Sequence, residues 1–206
     1  MTRARRFSGD RLIIATHNRG KVEEFAALLG GRGVTLVAAG DLGLPEPEET
    51  EATFEGNARI KAQAAAAATG LPALADDSGI EVDALGGAPG VRTADWATQP
   101  DGSRDFCMAM ERLHAALAEA GAPEPQGARF RCCLALAWPD GHTEVVEGAI
   151  EGLVVWPRRG AEGHGFDPMF QPEGEGRTFA EMPAAEKNAI SHRAVALAAL
   201  AARCFT

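Results

Sequence analysis

Hydrophobic positions recur along this chain with two periods, and each change of period marks an element. Residues 11–16 form an apolar run of strand length. Val22, Phe25, Leu28 and Leu29 then recur at three- and four-residue steps with Glu23 and Glu24 on the other side. That spacing predicts an amphipathic helix over 21–29, stopped by Gly30-Gly31. A second apolar run at 34–38 completes a strand–helix–strand unit, the basis of a parallel pairing. A loop at 43–50, rich in proline and glutamate, leads into a helix over 53–69 built on an alanine run at 64–68, with Gly70 and Pro72 as stop signals. Short strands follow at 72–75 and 80–85, then a glycine-rich turn at 86–90. A helix over 103–120 buries Phe106, Met110, Leu113 and Leu117. Two long strands at 129–138 and 143–150 are joined by the Pro139-Asp140-Gly141 turn, a hairpin signal. A third strand is predicted at 152–156 and a last helix, carrying Ile190, Val195, Leu197 and Leu200, at 186–203. This order predicts an α/β fold: a mixed β-sheet flanked by helices, with the middle of the chain forming a second lobe.

Composition narrows the class. The 206 residues are enough for one large domain or two lobes sharing a sheet, and 46% hydrophobic with 24% charged residues is ordinary for a soluble globular protein. Residues 1–10 read as a flexible N-terminal extension and 11–206 as a single domain of two lobes. The basic start, Met1 to Arg6, meets the Asp10-Arg11 pair before any apolar stretch, so it lacks the core of a signal peptide. No apolar run reaches membrane-spanning length. A net charge of −9 argues against a nucleic acid polymer as partner, while a small phosphorylated ligand needs only a local cluster of cations. Cys107, Cys132, Cys133 and Cys204 have no metal-ligand spacing. Adjacent Cys132 and Cys133 in a strand point to opposite faces, which suits buried thiols in a reducing cytoplasm.

Five segments carry candidate chemistry. In Ala75-Asp76-Asp77-Ser78-Gly79 two carboxylates stand where an apolar strand is expected to turn out of the core. Neighbouring carboxylates repel and resist desolvation; a divalent cation or a water being activated would explain them, and a solvated turn is the plainer reading. Thr16-His17-Asn18-Arg19-Gly20-Lys21 joins a strand to a helix N-terminus, where backbone N–H groups and the helix dipole favour anions and Lys21 adds a charge. The plainer reading there is a strand–helix turn. Asn57 and Lys61 share a helix face, and Glu46, Glu48 and Glu49 crowd the loop before it. Gly163-His164-Gly165-Phe166-Asp167-Pro168 offers a ring for stacking and an acid for a base edge, although a lone phenylalanine more often plugs a core. Lys187, His192 and Arg193 form a basic cluster in an acidic protein; on one continuous helix the last two would diverge by about 100°.

Taken in order, these runs, with Glu48-Glu49-Thr50, Thr53-Phe54-Glu55-Gly56-Asn57-Ala58 and the Gly-Ala-Pro-Gly turn at 87–90, resemble the non-canonical purine nucleoside triphosphate pyrophosphatases, the ITP/XTP diphosphatase family. The resemblance implies an elongated α/β fold of two lobes with the active-site cleft between them, a homodimer, and Mg2+-dependent cleavage of ITP, dITP or XTP to the monophosphate and pyrophosphate. It also implies roles. Asp77 matches the catalytic base and a metal-linked acid, and Glu48 the second metal-linked acid, with Glu46 competing for that place. Thr16, His17, Asn18, Arg19, Gly20, Lys21 and Lys61 match triphosphate contacts, and Ser78 a substrate contact. His164, Gly165, Phe166, Asp167, Lys187, His192 and Arg193 match the base and sugar pocket. His17 stands where the family usually has glycine, His164 and Phe166 where it has phenylalanine and tyrosine, and Asp95 where many members have arginine. Two other readings are a pyrophosphatase for pyrimidine or modified nucleotides and a non-catalytic nucleotide-binding protein.

Overall fold

The first apolar run pairs on both sides, as a strand buried on both faces must. The structure, a computed structural model, describes residues 4–29 and 33–205. Strand β1 (Arg11–Ile14) runs parallel to β2 (Thr35–Ala38), with Ile13 opposite Val37, and parallel to β3 (Ala73–Val82), with Ile13 opposite Ala73. Parallel neighbours need crossover connections, and helices α1 (Arg19–Leu29) and α2 (Phe54–Thr69) lie in those connections. With β4 (Gln126–Ala137), β5 (Thr143–Val154) and β6 (Phe170–Pro172) the sheet order is β2-β1-β3-β4-β5-β6. β6 is antiparallel to β5, so the sheet is mixed, as expected. Helices α3 (Phe106–Glu119), α4 (Ala184–Ile190) and α5 (His192–Cys204) complete the fold. Among the described residues no helix is long and apolar enough to cross a membrane.

Several elements differ from the sequence pattern. The strands expected at 72–75 and 80–85 are one strand, β3, because Asp76 and Asp77 find cationic and amide partners inside the structure and the strand has no need to leave it. The strands expected at 143–150 and 152–156 are likewise one, β5, running through Gly148 and Gly152. The short β6 carries no periodic signal and was not anticipated. The final helix is broken: Ser191 is extended, at φ −63° and ψ 156°, so α4 ends there and α5 begins afresh at His192. Leu197 and Leu200 are buried as predicted, whereas Ile190 and Val195 are exposed. The glycine stop proposed for α1 at Gly30-Gly31 lies outside the described residues.

The chain divides into two compact units. The first comprises Met1–Asp77, Cys132–Gly148 and Arg193–Thr206, the second Ser78–Arg131 and Ala149–His192. The core of the first joins Leu12, Ile14 and Leu74 of the sheet to Phe25 and Leu29 of α1 and Leu197 and Leu200 of α5. The core of the second is built on Ile80, Val82, Met110, Leu113, Phe130 and Phe170. Within the stretch read as an N-terminal extension, residues 4–10 are described. Phe7 stacks on Phe205 with ring centroids 4.9 Å apart and donates its N–H to the Cys204 carbonyl at 2.7 Å, and the Arg5 guanidinium lies over Trp138.

Glu144 anchors this segment. Its buried carboxylate accepts the Arg5 N–H at 2.9 Å and Arg203 Nε at 2.7 Å and lies 2.9 Å from His142 Nε2. Burial opposes its ionisation, but these partners outweigh burial and hold the carboxyl below the usual glutamate range. A depressed folded pKa contributes stability at neutral pH that is lost as pH falls through the acid range. Glu144→Gln is therefore expected to lower the unfolding free energy by about 1.5–3 kcal/mol at pH 7, the worth of hydrogen bonds to a charged group, with the deficit shrinking towards pH 3. Urea unfolding at both pH values measures this; a deficit independent of pH would contradict it.

Candidate functional site

In a β-strand successive side chains point to opposite faces, and β3 carries two aspartates in succession. Asp76 and Asp77 are 2% and 6% exposed, so this strand buries two negative charges, one on each face. Each has its own set of partners from different helices of the first unit.

Asp76 shares its face with Leu74, under α1 and α5. Its Oδ2 lies 3.0 Å from Lys21 Nζ and 3.1 Å from Arg193 Nη2. Arg193 is itself buried, and its Nη1 bonds the carboxylate of Glu24 on α1. Burial alone would raise the Asp76 pKa, but Lys21, Arg193 and Lys61 together hold it well below the carboxylate range. Asp76 thus fixes where Lys21 points.

Asp77 faces α2. That helix buries Phe54, Asn57, Ala58, Lys61, Ala62, Ala65 and Ala66, a single face at i, i+3, i+4 spacing in which two polar residues sit among alanines. Asn57 Nδ2 donates to Asp77 Oδ2 at 3.2 Å while Asn57 Oδ1 accepts the Glu51 N–H at 3.0 Å, so both ends of the amide are fixed. Lys61 Nζ lies 3.6 Å from Asp77 Oδ1 and 2.5 Å from Glu49 Oε1. Burial pushes the Asp77 pKa up; Lys61 opposes this, and the charge of Glu49 adds to it, leaving Asp77 above the ordinary aspartate range. Lys61 shifts upward too: its burial is outweighed by Asp77, Asp76 and Glu49, so it stays charged. Two adjacent aspartates are therefore electrostatic opposites, one a fixed anion and the other a carboxylate poised to take a proton.

The segment before α1 is arranged as a helix start. The Thr16 hydroxyl accepts the Asn18 N–H at 3.2 Å and the Asn18 side chain accepts the Lys21 N–H at 3.3 Å. Arg19 is exposed and Gly20 half-buried in the first turn of α1. His17 does not point along with them: its Nε2 lies 2.7 Å from the Leu44 carbonyl. In the loop before α2 the carboxylate that reaches Lys61 is Glu49. Glu48 is exposed, and Glu46 lies 3.9 Å from His17 Nδ1. Glu49 is one residue beyond the acid named from the sequence; both residues are exposed, and the Glu49 side chain is the one that pairs with Lys61.

The second unit holds a separate cluster. Asp167, 3% exposed, accepts the His164 N–H at 2.6 Å and lies 2.5 Å from Lys187 Nζ. Position 163 must be glycine: at φ +77° a Cβ there would lie 2.2 Å from Asp167 Oδ2. His164 is exposed and Gly165 half-buried. Phe166, expected as a stacking surface for a base, is only 1% exposed and packs edge-on against Phe106, so its ring belongs to the core. His192 stacks on Phe130 at 5.0 Å between centroids, and Ser78 is half-buried on β3. Arg193, expected in the base pocket, has its guanidinium on Asp76 and Glu24; the helix break at Ser191 sets its direction. Asn57 and Glu49, weighed as candidates from the sequence but given no role there, and Glu24, which sequence reasoning did not select, all touch this charged cluster. For Asn57 the signal was its helix face, shared with Lys61 and otherwise alanine and phenylalanine.

Among the described residues no group of three or more His, Cys, Asp and Glu side chains converges as a metal cage. The donor set nevertheless fits a hard divalent cation. Glu49 and Asp77 place like charges close enough for one to raise the other's pKa, and Mg2+ takes few protein carboxylates when phosphate and water complete its shell. Burial pushes the Cys133 thiol up to about 12 and that of Cys204 to about 11, which makes them inert.

Comparison with known proteins identifies the chain's relatives. The Ham1 family model matches residues 12–203. A dITP/XTP pyrophosphatase of Ruegeria pomeroyi is 64% identical over 205 residues, covering 100% of this chain and 99% of that protein. A dITP/XTP pyrophosphatase of Rhodospirillum centenum is 57% identical, with 100% of each chain covered. Among solved structures, a HAM1 protein from Coxiella burnetii superposes with a TM-score of 0.85 at 36% identity, covering 93% of this chain and 96% of that one. The nucleoside-triphosphatase or dITP/XTP pyrophosphatase of Mycobacterium abscessus has a TM-score of 0.72 at 42% identity, covering 92% and 98%. With a family model spanning nearly its whole length, this chain belongs to the Ham1 family.

Proposed function

We propose that this protein hydrolyses the non-canonical purine nucleoside triphosphates ITP, dITP and XTP to the monophosphate and pyrophosphate, removing them from the nucleotide pool. The observation that carries this reading is Asp77, a buried carboxylate of raised pKa gripped by Asn57 and faced by Lys61 and Glu49. Whole-length identity of 64% to a dITP/XTP pyrophosphatase supports the substrate class.

Asp77 orients a water for in-line attack on the α-phosphorus and accepts its proton; a carboxylate with an elevated pKa is the stronger base. Asn57 holds that carboxylate in one rotamer. Asp77 and Glu49, the latter in the role first given to Glu48, are the ligands available to Mg2+, which when bound neutralises charge on the leaving pyrophosphate. Lys61 and Lys21 add fixed positive charge for the phosphates. Thr16, Asn18, Arg19 and Gly20 present the start of α1, whose N–H groups suit phosphate oxygens. In the second unit Asp167 takes one donor of Lys187 and orients the ammonium group. Its remaining hydrogens suit the carbonyl at purine position 6 of hypoxanthine and xanthine and repel the amino group of adenine. His164 offers an exposed ring, and Ser78 and His192 complete the substrate contacts implied by the family. We assign the enzyme to the cytoplasm, as a homodimer without nucleic acid or membrane partners, from its charge, thiols and family resemblance.

The two aspartates separate by mutation. Asp77→Asn is expected to bind ITP yet lose nearly all pyrophosphate release, with no loss of thermal stability, because it removes a charge that burial disfavours. Asp76→Asn is expected to lose about 3 kcal/mol or more by leaving Lys21 and Arg193 short of an anion. An active Asp77→Asn enzyme, or equal melting temperatures for the two variants, would contradict the assignment. On a nucleotide panel with pyrophosphate detection, ITP and XTP should exceed ATP in kcat/KM, and EDTA should abolish turnover until Mg2+ is restored. Lys187→Met should shrink the ITP-to-ATP ratio about tenfold to hundredfold, the effect of about 1–3 kcal/mol for an unpaired buried polar group; an unchanged ratio would rule Lys187 out as the reader.

A further inference from the structure

We propose that His17 is a positioning residue that straps the acidic loop over α2 and so sets Glu49 against Lys61 and Asp77, with no contact to phosphate. Three observations converge on it. First, the ring is committed: the Leu44 carbonyl can only accept, so Nε2 carries the proton and donates across 2.7 Å, while Nδ1 faces Glu46 at 3.9 Å. Second, the ring has a place made for it. The ring packs on Gly40, where a Cβ would lie in van der Waals contact with its Cδ2 at 3.4 Å. Third, the loop has few other ties. Leu44 N–H bonds the Ala39 carbonyl at one end and Glu51 N–H bonds Asn57 at the other. Between them Pro45 and Pro47 have no N–H to donate. The segment Leu44, Pro45, Glu46 and Pro47 does not pack tightly on α2 either, because a small cavity bounded by Ala64, Ala65 and Ala68 separates them. Among the described residues the ion pairs of the loop's middle are then His17–Glu46 and Glu49–Lys61, and the geometry of the second follows from where the strap sets Leu44.

The kinetic consequence rests on the proposed pyrophosphatase activity, whereas the strap itself does not. Hydrogen exchange on the enzyme free of metal and nucleotide tests the strap directly. His17→Ala should exchange the amides of Leu44 and Glu51, the hydrogen-bonded N–H groups at the two ends of the loop, about fivefold faster, the loss of one net hydrogen bond. Exchange elsewhere should be unchanged, and His17→Gln, whose side-chain amide can donate to Leu44, should restore protection. In turnover, His17→Ala should raise the Mg2+ concentration for half-maximal ITP hydrolysis by about the same factor, with kcat at saturating Mg2+ within about twofold of wild type. Unaltered loop exchange would overturn the strap whether or not the protein acts on ITP. A raised KM for ITP with unchanged Mg2+ dependence would also overturn it and make His17 a phosphate contact.

Discussion

A single strand that buries two consecutive carboxylates is the constraint on which the rest of this structure depends. Each buried charge costs several kcal/mol unless it is paired, and a strand cannot turn both of its aspartates to one partner. β3 therefore recruits cations from two directions: Lys21 and Arg193 over one face and Lys61 over the other. The pairings are unequal. Two close cations hold Asp76, while Asp77 shares one lysine with a competing glutamate, and that inequality sends the two pKa values in opposite directions.

The flanking elements make sense in these terms. Alanines along the buried face of α2 bring its backbone close to the sheet, so that Lys61 can reach both Glu49 and Asp77. The break at Ser191 frees Arg193 from the direction of α4 and lets the first turn of α5 present it to Asp76. Glu24 takes the Nη1 end of the same guanidinium, which helps to keep Arg193 in place. Cys132 and Cys133 on β4 follow the same alternation: burial raises the pKa of both thiols, with the charge of Asp76 adding to the first and those of Glu147, Glu55 and Asp77 to the second.

Much of this was legible in the residues. The strand–helix–strand opening, the long helices and the hairpin follow from periodicity and turn chemistry, and they are local. The family resemblance named Asp77, Lys21 and Lys61 from ordered motifs. What escaped was set by tertiary partners. Asp76-Asp77-Ser78 has the local chemistry of a turn, and only cations supplied by distant helices keep it in a strand. Likewise Phe166 looked available for stacking because no local signal reports that Phe106 sits against it. A loop with two prolines gives no period from which to tell Glu48 from Glu49, and the helix of 186–203 hides its break because Ser191 is compatible with either conformation.

The division of labour between the two aspartates can be read directly by carboxyl-carbon NMR titration of the folded, metal-free protein. Asp77 should titrate above the ordinary aspartate value of about 3.9, while Asp76 should remain ionised to the lowest pH at which the fold survives. Two carboxyl resonances moving together near the ordinary value would contradict the account.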